Sequence, residues 1–359
     1  MKDGRIRFGL IGYGKVAQLH AKALTASEHC QLVSVCGRNE SNRRKFADTW
    51  GIQARATVAE MASLDGVEAV IITTPHPAHR QGAVEAFAAG CHVLVEKPMA
   101  LTVRECEEML QASRETGRKL GVVSQRRWYP SCQRIKQALL DGKLGEPAIG
   151  QIIMLGWRDL AYYQSDPWRG RWDTEGGGVL INQAPHQIDL LHWYMGPVEE
   201  VSAYWLNVNH PYIEVEDTAV AALRFKKGGL GSILVSNSQK PGIYAKVHVH
   251  GTSAASVGVQ TDGGAMFVAG MSNIVEPPYN DLWTIPEEIQ LLEKWKKEDE
   301  EFFSTIDATW YFFRLQADDF ALSIQKDRIP AVTGEDGLET VKIIEGIYRS
   351  GTEHCPIRY

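Results

Sequence analysis

Short apolar runs separated by amphipathic stretches fill the first third of the chain. Arg5–Ile11, Gln31–Cys36, Val67–Thr73, Cys91–Val95 and Lys119–Val123 have the continuous apolar texture of strands buried on both faces, and the segments between them repeat Ala and Leu at helical spacing. Strand and helix alternating in this way predict a doubly wound parallel sheet that ends near residue 124. Beyond "VVSQRRWYPS" the texture changes. A helix near Cys132–Asp141 precedes an aromatic and Gly-rich stretch that runs to residue 178, and a second helix is predicted over Val179–Tyr194. The runs "VEEVSAYWLNV", "DTAVAALRF", "GLGSILVSNS" and "YAKVHVHG" then alternate apolar and polar positions between Gly, Pro and Asn punctuation, the pattern of an antiparallel sheet. Thr252 to Pro286 reads as irregular, "EEIQLLEKWKKEDEEFF" as a helix with a solvated charged face, and "FRLQADDFALSIQKDRIP" and "EDGLETVKIIEGIY" as two closing helices. The pattern divides the chain into 1–124 and 125–359, an α/β domain followed by an α+β domain.

Between the first strand and the first helix stands "GYGKVA", in which Gly12, Gly14 and Ala17 fit G-x-G-x-x-G/A. The first glycine permits the tight turn, the second lets backbone approach a pyrophosphate, and the small third residue lets helix pack on strand. The helix start offers unpaired N–H groups and a positive dipole end to the phosphates. A dinucleotide is therefore expected here. The second strand ends in Gly37-Arg38, where a carboxylate for the adenosine ribose would stand in an NAD site. Arg38, with Arg43 and Arg44 nearby, tilts the expectation toward the 2′-phosphate of NADP; stacking of Arg38 on the adenine, with little discrimination, is the other reading.

Composition narrows the partners. A net charge of −6 over 359 residues gives no basic excess that would draw the chain to nucleic acid or an anionic membrane. Met1-Lys2-Asp3-Gly4-Arg5 leads into a strand without the apolar core of a signal peptide, and no run of 18 apolar residues follows, so a cytoplasmic location is expected. The six cysteines stand without C-x-x-C pairs, which predicts reduced packing residues and no metal site.

"HVLVEKPMALT" puts Glu96-Lys97-Pro98 at the carboxyl end of a parallel strand, where ligand crevices form. Taken with the glycine loop and "EGGGVLINQAPHQIDLLHW", this tripeptide gives the chain its resemblance to the Gfo/Idh/MocA family of NAD(P)-dependent oxidoreductases, over almost its whole length. The resemblance implies an N-terminal Rossmann domain and a C-terminal domain with a large open-faced sheet through which copies pair as homodimers or homotetramers. It also implies a cofactor site of Gly12, Gly14, Lys15, Val16, Ala17, Gly37, Arg38, Thr74, Pro75, His76, His79, Glu96, Lys97, Pro98 and Gln125, with His76 and His79 flanking the cofactor and a cis bond before Pro98.

In that family a lysine of E-K-P works with a D-x-x-x-H pair on a helix. Here these are Lys97 and, with the carboxylate replaced by an amide, Asn182 and His186. An ammonium beside the reacting carbinol stabilises the developing alkoxide, and an imidazole accepts its proton, although the two roles are exchangeable. Asn can orient the ring but adds no compensating charge. Asp189 either orients His186 or serves packing within the helix. Substrate contacts are expected from Lys97, Asn182, Gln183 and His186, from Arg127 and Tyr129 in "QRRWYP", and from Arg158, Tyr163, Trp168, Arg169 and Trp172. Tyr162 belongs to the same aromatic stretch. Aromatic faces interleaved with planar donors suit a sugar or cyclitol, while the same tryptophans also suit a core or an interface. The expected reaction is oxidation of a ring hydroxyl of a sugar, sugar derivative or inositol. Glycoside cleavage with transiently reduced bound NAD, and a non-catalytic NAD(P)-binding regulator, are the alternatives.

Overall fold

The computed structural model describes residues 4–240, 242, 244–262 and 277–359. Its contacts resolve two units: residues up to 125 together with 308–338, and residues 126–307 together with 339–359.

The first unit holds a parallel sheet of β1 (Ile6–Ile11), β2 (Cys30–Cys36), β3 (Gln53–Arg55), β4 (Ala69–Ile72), β5 (His92–Val95) and β6 (Leu120–Val122). Their order, β3-β2-β1-β4-β5-β6, reverses direction of growth at β1, as in a doubly wound fold. β3 has three residues, too short to leave a hydrophobic period in the sequence. Five helices lie between the strands: α1 (Lys15–Thr25), α2 (Glu40–Trp50), α3 (Val58–Asp65), α4 (His79–Ala88) and α5 (Val103–Thr116). Caps set several of their boundaries. The side chains of Asn39, Thr57 and Thr102 accept backbone N–H groups at the starts of α2, α3 and α5, and glycines in the left-handed region end all three.

Sequence reasoning assigned everything after 124 to the second domain, but segment 308–338 packs with the first unit. The reason is a helix within it, Tyr311–Gln325. Its Phe313, Ala317, Phe320 and Ala321 join Phe8, Leu10, Leu24, Ile71 and Leu94 in one buried core. Gln316 fastens it to the end of β6, accepting from Ser124 N (2.9 Å) and donating to Val122 O (2.7 Å).

Among the described residues, the second unit holds eight strands: β7 (Pro147–Leu155), β8 (Val198–Leu206), β9 (Thr218–Phe225), β10 (Leu230–Ser236), β11 (Tyr244–Gly251), β12 (Ser256–Asp262), β13 (Tyr279–Trp283) and β14 (Ile357–Arg358), ordered β13-β12-β11-β7-β10-β9-β8-β14. Every pairing is antiparallel except β7 with β10. β12 and β13 fall in the stretch read as irregular, whose residues 263–276 lie outside the described residues. Strict alternation of buried and exposed positions along β9 leaves one face uncovered. Tyr204, Val220 and Leu234 stand side by side on it in register, and Tyr204 is 75% exposed.

The helices of this unit include α6 (Pro130–Leu140), α7 (Leu160–Gln164), α8 (Val179–Asn182), α9 (Pro185–Met195) and α10 (Leu291–Ser304). The single helix expected over 179–194 is two, broken at Gln183–Ala184, because Pro185 has no N–H to continue the ladder. In the charged segment, α10 is not solvated all round, since Asp299 is buried and paired with Arg134 at 2.7 Å. Among the described residues, no helix is long and apolar enough to cross a membrane.

Candidate functional site

In the first unit the expected cofactor residues sit on the loops that follow β1, β2, β4, β5 and β6, at the carboxyl edge of the sheet. Backbone bonds lock these loops side by side: Gly12 N to Cys36 O and Thr73 N to Ile11 O at 2.9 Å, Glu96 N to Ile72 O at 3.0 Å, and Val123 N to Val95 O at 2.8 Å. Gly12 adopts φ +108°, and a Cβ there would stand 2.8 Å from Thr73 Oγ1, so both conformation and space demand glycine. Gly14 opens α1 without a side-chain cap, with no described atom within 4 Å of where its Cβ would be. Lys15 is exposed, Val16 half-buried, and Ala17 fully buried against the sheet.

The same edge carries two buried polar atoms without partners, Thr74 Oγ1 and Gln125 Oε1. Buried orphans of this kind carry a desolvation cost that a bound ligand relieves. An open glycine turn, a helix start without a side-chain cap and two orphaned atoms on adjoining loops fit a dinucleotide. Arg38 is exposed at the end of β2, while Arg43 donates to Gly37 O (2.7 Å) and Arg44 pairs with Glu40 (2.5 Å). Arg38 is thus the cation of the three most open to a 2′-phosphate.

The Lys97–Pro98 peptide is cis. Glu96 is buried, its Oε1 lies 2.7 Å from His20 Nε2 on α1, and its Oε2 accepts Lys97 N at 3.1 Å. Burial alone would raise the Glu96 carboxyl, but the His20 hydrogen bond and charge, with Lys97, outweigh it and hold the group below the usual carboxylate range. His20 was missed by sequence reasoning. Its only signal was a histidine on the buried face of the glycine-loop helix. Pro75 is exposed and His76 buried, with their rings' neighbour His79 also enclosed. His79 Nδ1 lies 2.8 Å from Pro98 O and Nε2 lies 2.9 Å from Thr74 O. Burial pushes its pKa down, and the ring serves to tie the loop after β4 to the loop after β5.

In the second unit Tyr162 is the hub. Its hydroxyl receives Arg169 Nη1 (2.5 Å), Gln183 Nε2 (2.8 Å) and Asn182 Nδ2 (3.3 Å), while the Arg158 and Arg169 guanidinium carbons lie 4.8 and 4.3 Å from its ring centroid. Arg169 also covers Trp168, at 4.4 Å. Gln183 Oε1 accepts Asn237 Nδ2 at 3.0 Å. Tyr163 is buried edge-on against Tyr162. The cluster contains a carboxylate that sequence reasoning overlooked. Glu175 is 1% exposed, accepts Gly170 N at 2.5 Å and accepts Asn182 Nδ2. The acid absent at 182 is therefore replaced by one reached through the Asn182 amide. A glutamate beside a glycine triplet was its sole trace in the sequence.

His186 lies in the first turn of α9, half-buried. Asp189 is engaged with Arg127, whose Nε and Nη2 donate to it at 2.9 and 2.7 Å, and it lies 3.4 Å from His192. Burial would raise the Asp189 carboxyl, but the Arg127 charge drives it far below its ordinary range. Arg127 is buried in this pair and lies over Trp193, and Tyr129 packs on Phe303. Trp172 donates to Glu214 O and packs on Tyr348 and Trp205. These three expected substrate contacts each pack against side chains of their own unit, with Trp172 still 37% exposed.

A second buried acid positions α8. Glu216 accepts Gly178 N (2.8 Å), Leu180 N (3.0 Å) and the Tyr348 hydroxyl (3.0 Å), and a Cβ on Gly178 would overlap the Glu216 carbonyl. Burial raises its pKa to about 7 against these hydrogen bonds. Between pH 4.5 and about 7 the folded chain keeps a proton that the unfolded chain releases, so stability falls across that window by about 3 kcal/mol. Melting curves of Glu216→Gln are expected to lose this decline between pH 5 and 7. A decline identical to wild type would show that Glu216 does not cause it.

Comparison with known proteins gives concordant results. The model for an oxidoreductase family with an NAD-binding Rossmann fold, GFO_IDH_MocA, matches residues 6–124, and the GFO/IDH/MocA C-terminal domain matches 132–280. Inositol 2-dehydrogenase of Rhizobium meliloti is 24% identical over 97% of each chain. The NADP(+)-dependent scyllo-inositol 2-dehydrogenase IolW of Bacillus subtilis is 26% identical over 98% of this chain and 95% of its own. Among solved structures, the WlbA dehydrogenase of Bordetella pertussis, in complex with NADH and UDP-GlcNAcA, superposes with a TM-score of 0.86 at 30% identity, covering 99% of this chain and 98% of its own.

Proposed function

Because the chain belongs to the Gfo/Idh/MocA family of NAD-binding oxidoreductases, we propose that it is a cytoplasmic NAD(P)-dependent dehydrogenase that oxidises a ring hydroxyl of a sugar, sugar derivative or inositol. The observation that carries this reading is the placing of Lys97, anchored through a buried ionised Glu96, on the same sheet edge as the glycine loop. The inositol dehydrogenase relatives and the neighbour holding UDP-GlcNAcA support the substrate class.

The bound nicotinamide supplies the hydride acceptor. Gly12, Gly14 and the start of α1 bind the pyrophosphate, and Thr74 Oγ1 and Gln125 Oε1 take up polar groups of the cofactor. The Lys97 ammonium holds the substrate oxygen and stabilises the negative charge that develops on it. His186 accepts the hydroxyl proton, and Asn182, itself fixed by Glu175, orients the substrate or the imidazole. Tyr163, Trp168, Arg169 and Gln183 contribute the faces and donors of the sugar site.

The test is a screen of sugars and inositols with each cofactor, read at 340 nm. Oxidation is expected to yield one reduced cofactor per ketone, with kcat/KM favouring NADP through Arg38. Glycoside cleavage without net reduction would replace the reading, and a tenfold preference for NAD would remove the role given to Arg38. The open apolar row Tyr204, Val220 and Leu234 we assign to contact with a second copy of the chain. Sedimentation is expected to show a dimer or tetramer at micromolar concentration, and a monomer there would exclude it.

A further inference from the structure

Arg158 is a buried cation for which the described residues offer no counter-ion. It is 5% exposed, one end of its guanidinium donates from Nη1 to Trp157 O (2.9 Å), and Nε is buried without a partner. Its charged and titratable surroundings are the phenols of Tyr162 and Tyr163 and a second cation, Arg169. The nearby acids are spent elsewhere. Asp159 caps α7 by accepting Tyr162 N, and Asp166 pairs with Arg169. Glu175 accepts Gly170 N and Asn182, and Asp217 pairs with His210 at 2.6 Å. Burying an unpaired guanidinium is costly, and so is leaving one of its donors unmade. Arg158 shares the Tyr162 hub with Asn182 and Gln183, the residues assigned above to substrate.

We propose that Arg158, assisted by Arg169, receives a carboxylate of the substrate, so that the sugar oxidised is an acidic one of the uronate type. With Nη1 on Trp157 O and a further hydrogen bond to the Tyr162 side chain, the unpaired Nε is the donor left for a carboxylate oxygen, the group a planar guanidinium matches. A neutral hexose or inositol would leave the buried charge uncompensated. The proposal rests on the dehydrogenase reading and deepens it.

Calorimetry on the full chain saturated with NAD+ compares D-glucuronate with D-glucose and D-glucose 6-phosphate, and UDP-glucuronate with UDP-glucose. In at least one set the carboxylate member is expected to bind at least about tenfold more tightly than its neutral partner, the lower end for a hydrogen bond to a charged group. Arg158→Gln is expected to erase that advantage while leaving NAD+ affinity unchanged. Arg158→Lys, which keeps the charge and loses the fork, is expected to retain part of it and guards against loss of the glutamine variant through misfolding. Equal or absent binding of the acids, tighter binding of the phosphate, or an acid preference that survives in Arg158→Gln would each overturn the assignment. Oxidation of neutral alcohols with no preference for acids would remove this inference and leave the dehydrogenase standing.

Discussion

Lys97→Ala is expected to lower turnover of the sugar or cyclitol alcohol by roughly 10²–10⁴-fold, the usual worth of a positioned proton-handling group, while dinucleotide affinity changes little. The two effects separate because the lysine side chain does not build the cradle. Gly12 and Gly14 form the turn, and the Glu96 carboxylate stays on His20 when the ammonium is removed. Steady-state kinetics on the alcohol and fluorescence titration with reduced cofactor measure the two separately. Near-normal turnover would take the lysine out of the mechanism.

A comparably large effect on stability is expected in the second unit. Arg127→Met removes the guanidinium that donates to both oxygens of the buried Asp189 carboxylate and leaves that charge without its arginine beside His192. Breaking one half of a buried ion pair costs about 3–5 kcal/mol, a drop of roughly 6–20 °C in Tm for a unit of this size. Combining Arg127→Met with Asp189→Asn should restore most of the loss, because no bare charge remains. The measurement also distinguishes the packing role from the substrate contact expected of Arg127. A raised KM with an unchanged Tm would return the arginine to the substrate site.

The legible features were those with a local period or a local turn. Buried parallel strands declare themselves by continuous apolar runs, the alternation in β9 by its two-residue period, and the cradle by Gly12 and Gly14 between strand and helix. What stayed hidden depends on partners distant in the chain. Arg127 and Arg158 look alike as sequence, yet one meets Asp189 and the other meets no described carboxylate. Glu175, Glu216 and His20 are ordinary surface residue types until the fold encloses them. The break between α8 and α9 was written in Pro185, but the surrounding apolar spacing continues through it and masks the signal.

The helix Tyr311–Gln325 has a consequence for biosynthesis. A ribosome that has released the glycine loop and all six parallel strands has still not supplied Phe313, Ala317 and Phe320, which complete their core. Until that late segment emerges, the nascent N-terminal third carries an uncovered greasy surface, and truncation at residue 125 would yield a chaperone client rather than an isolated nucleotide-binding module.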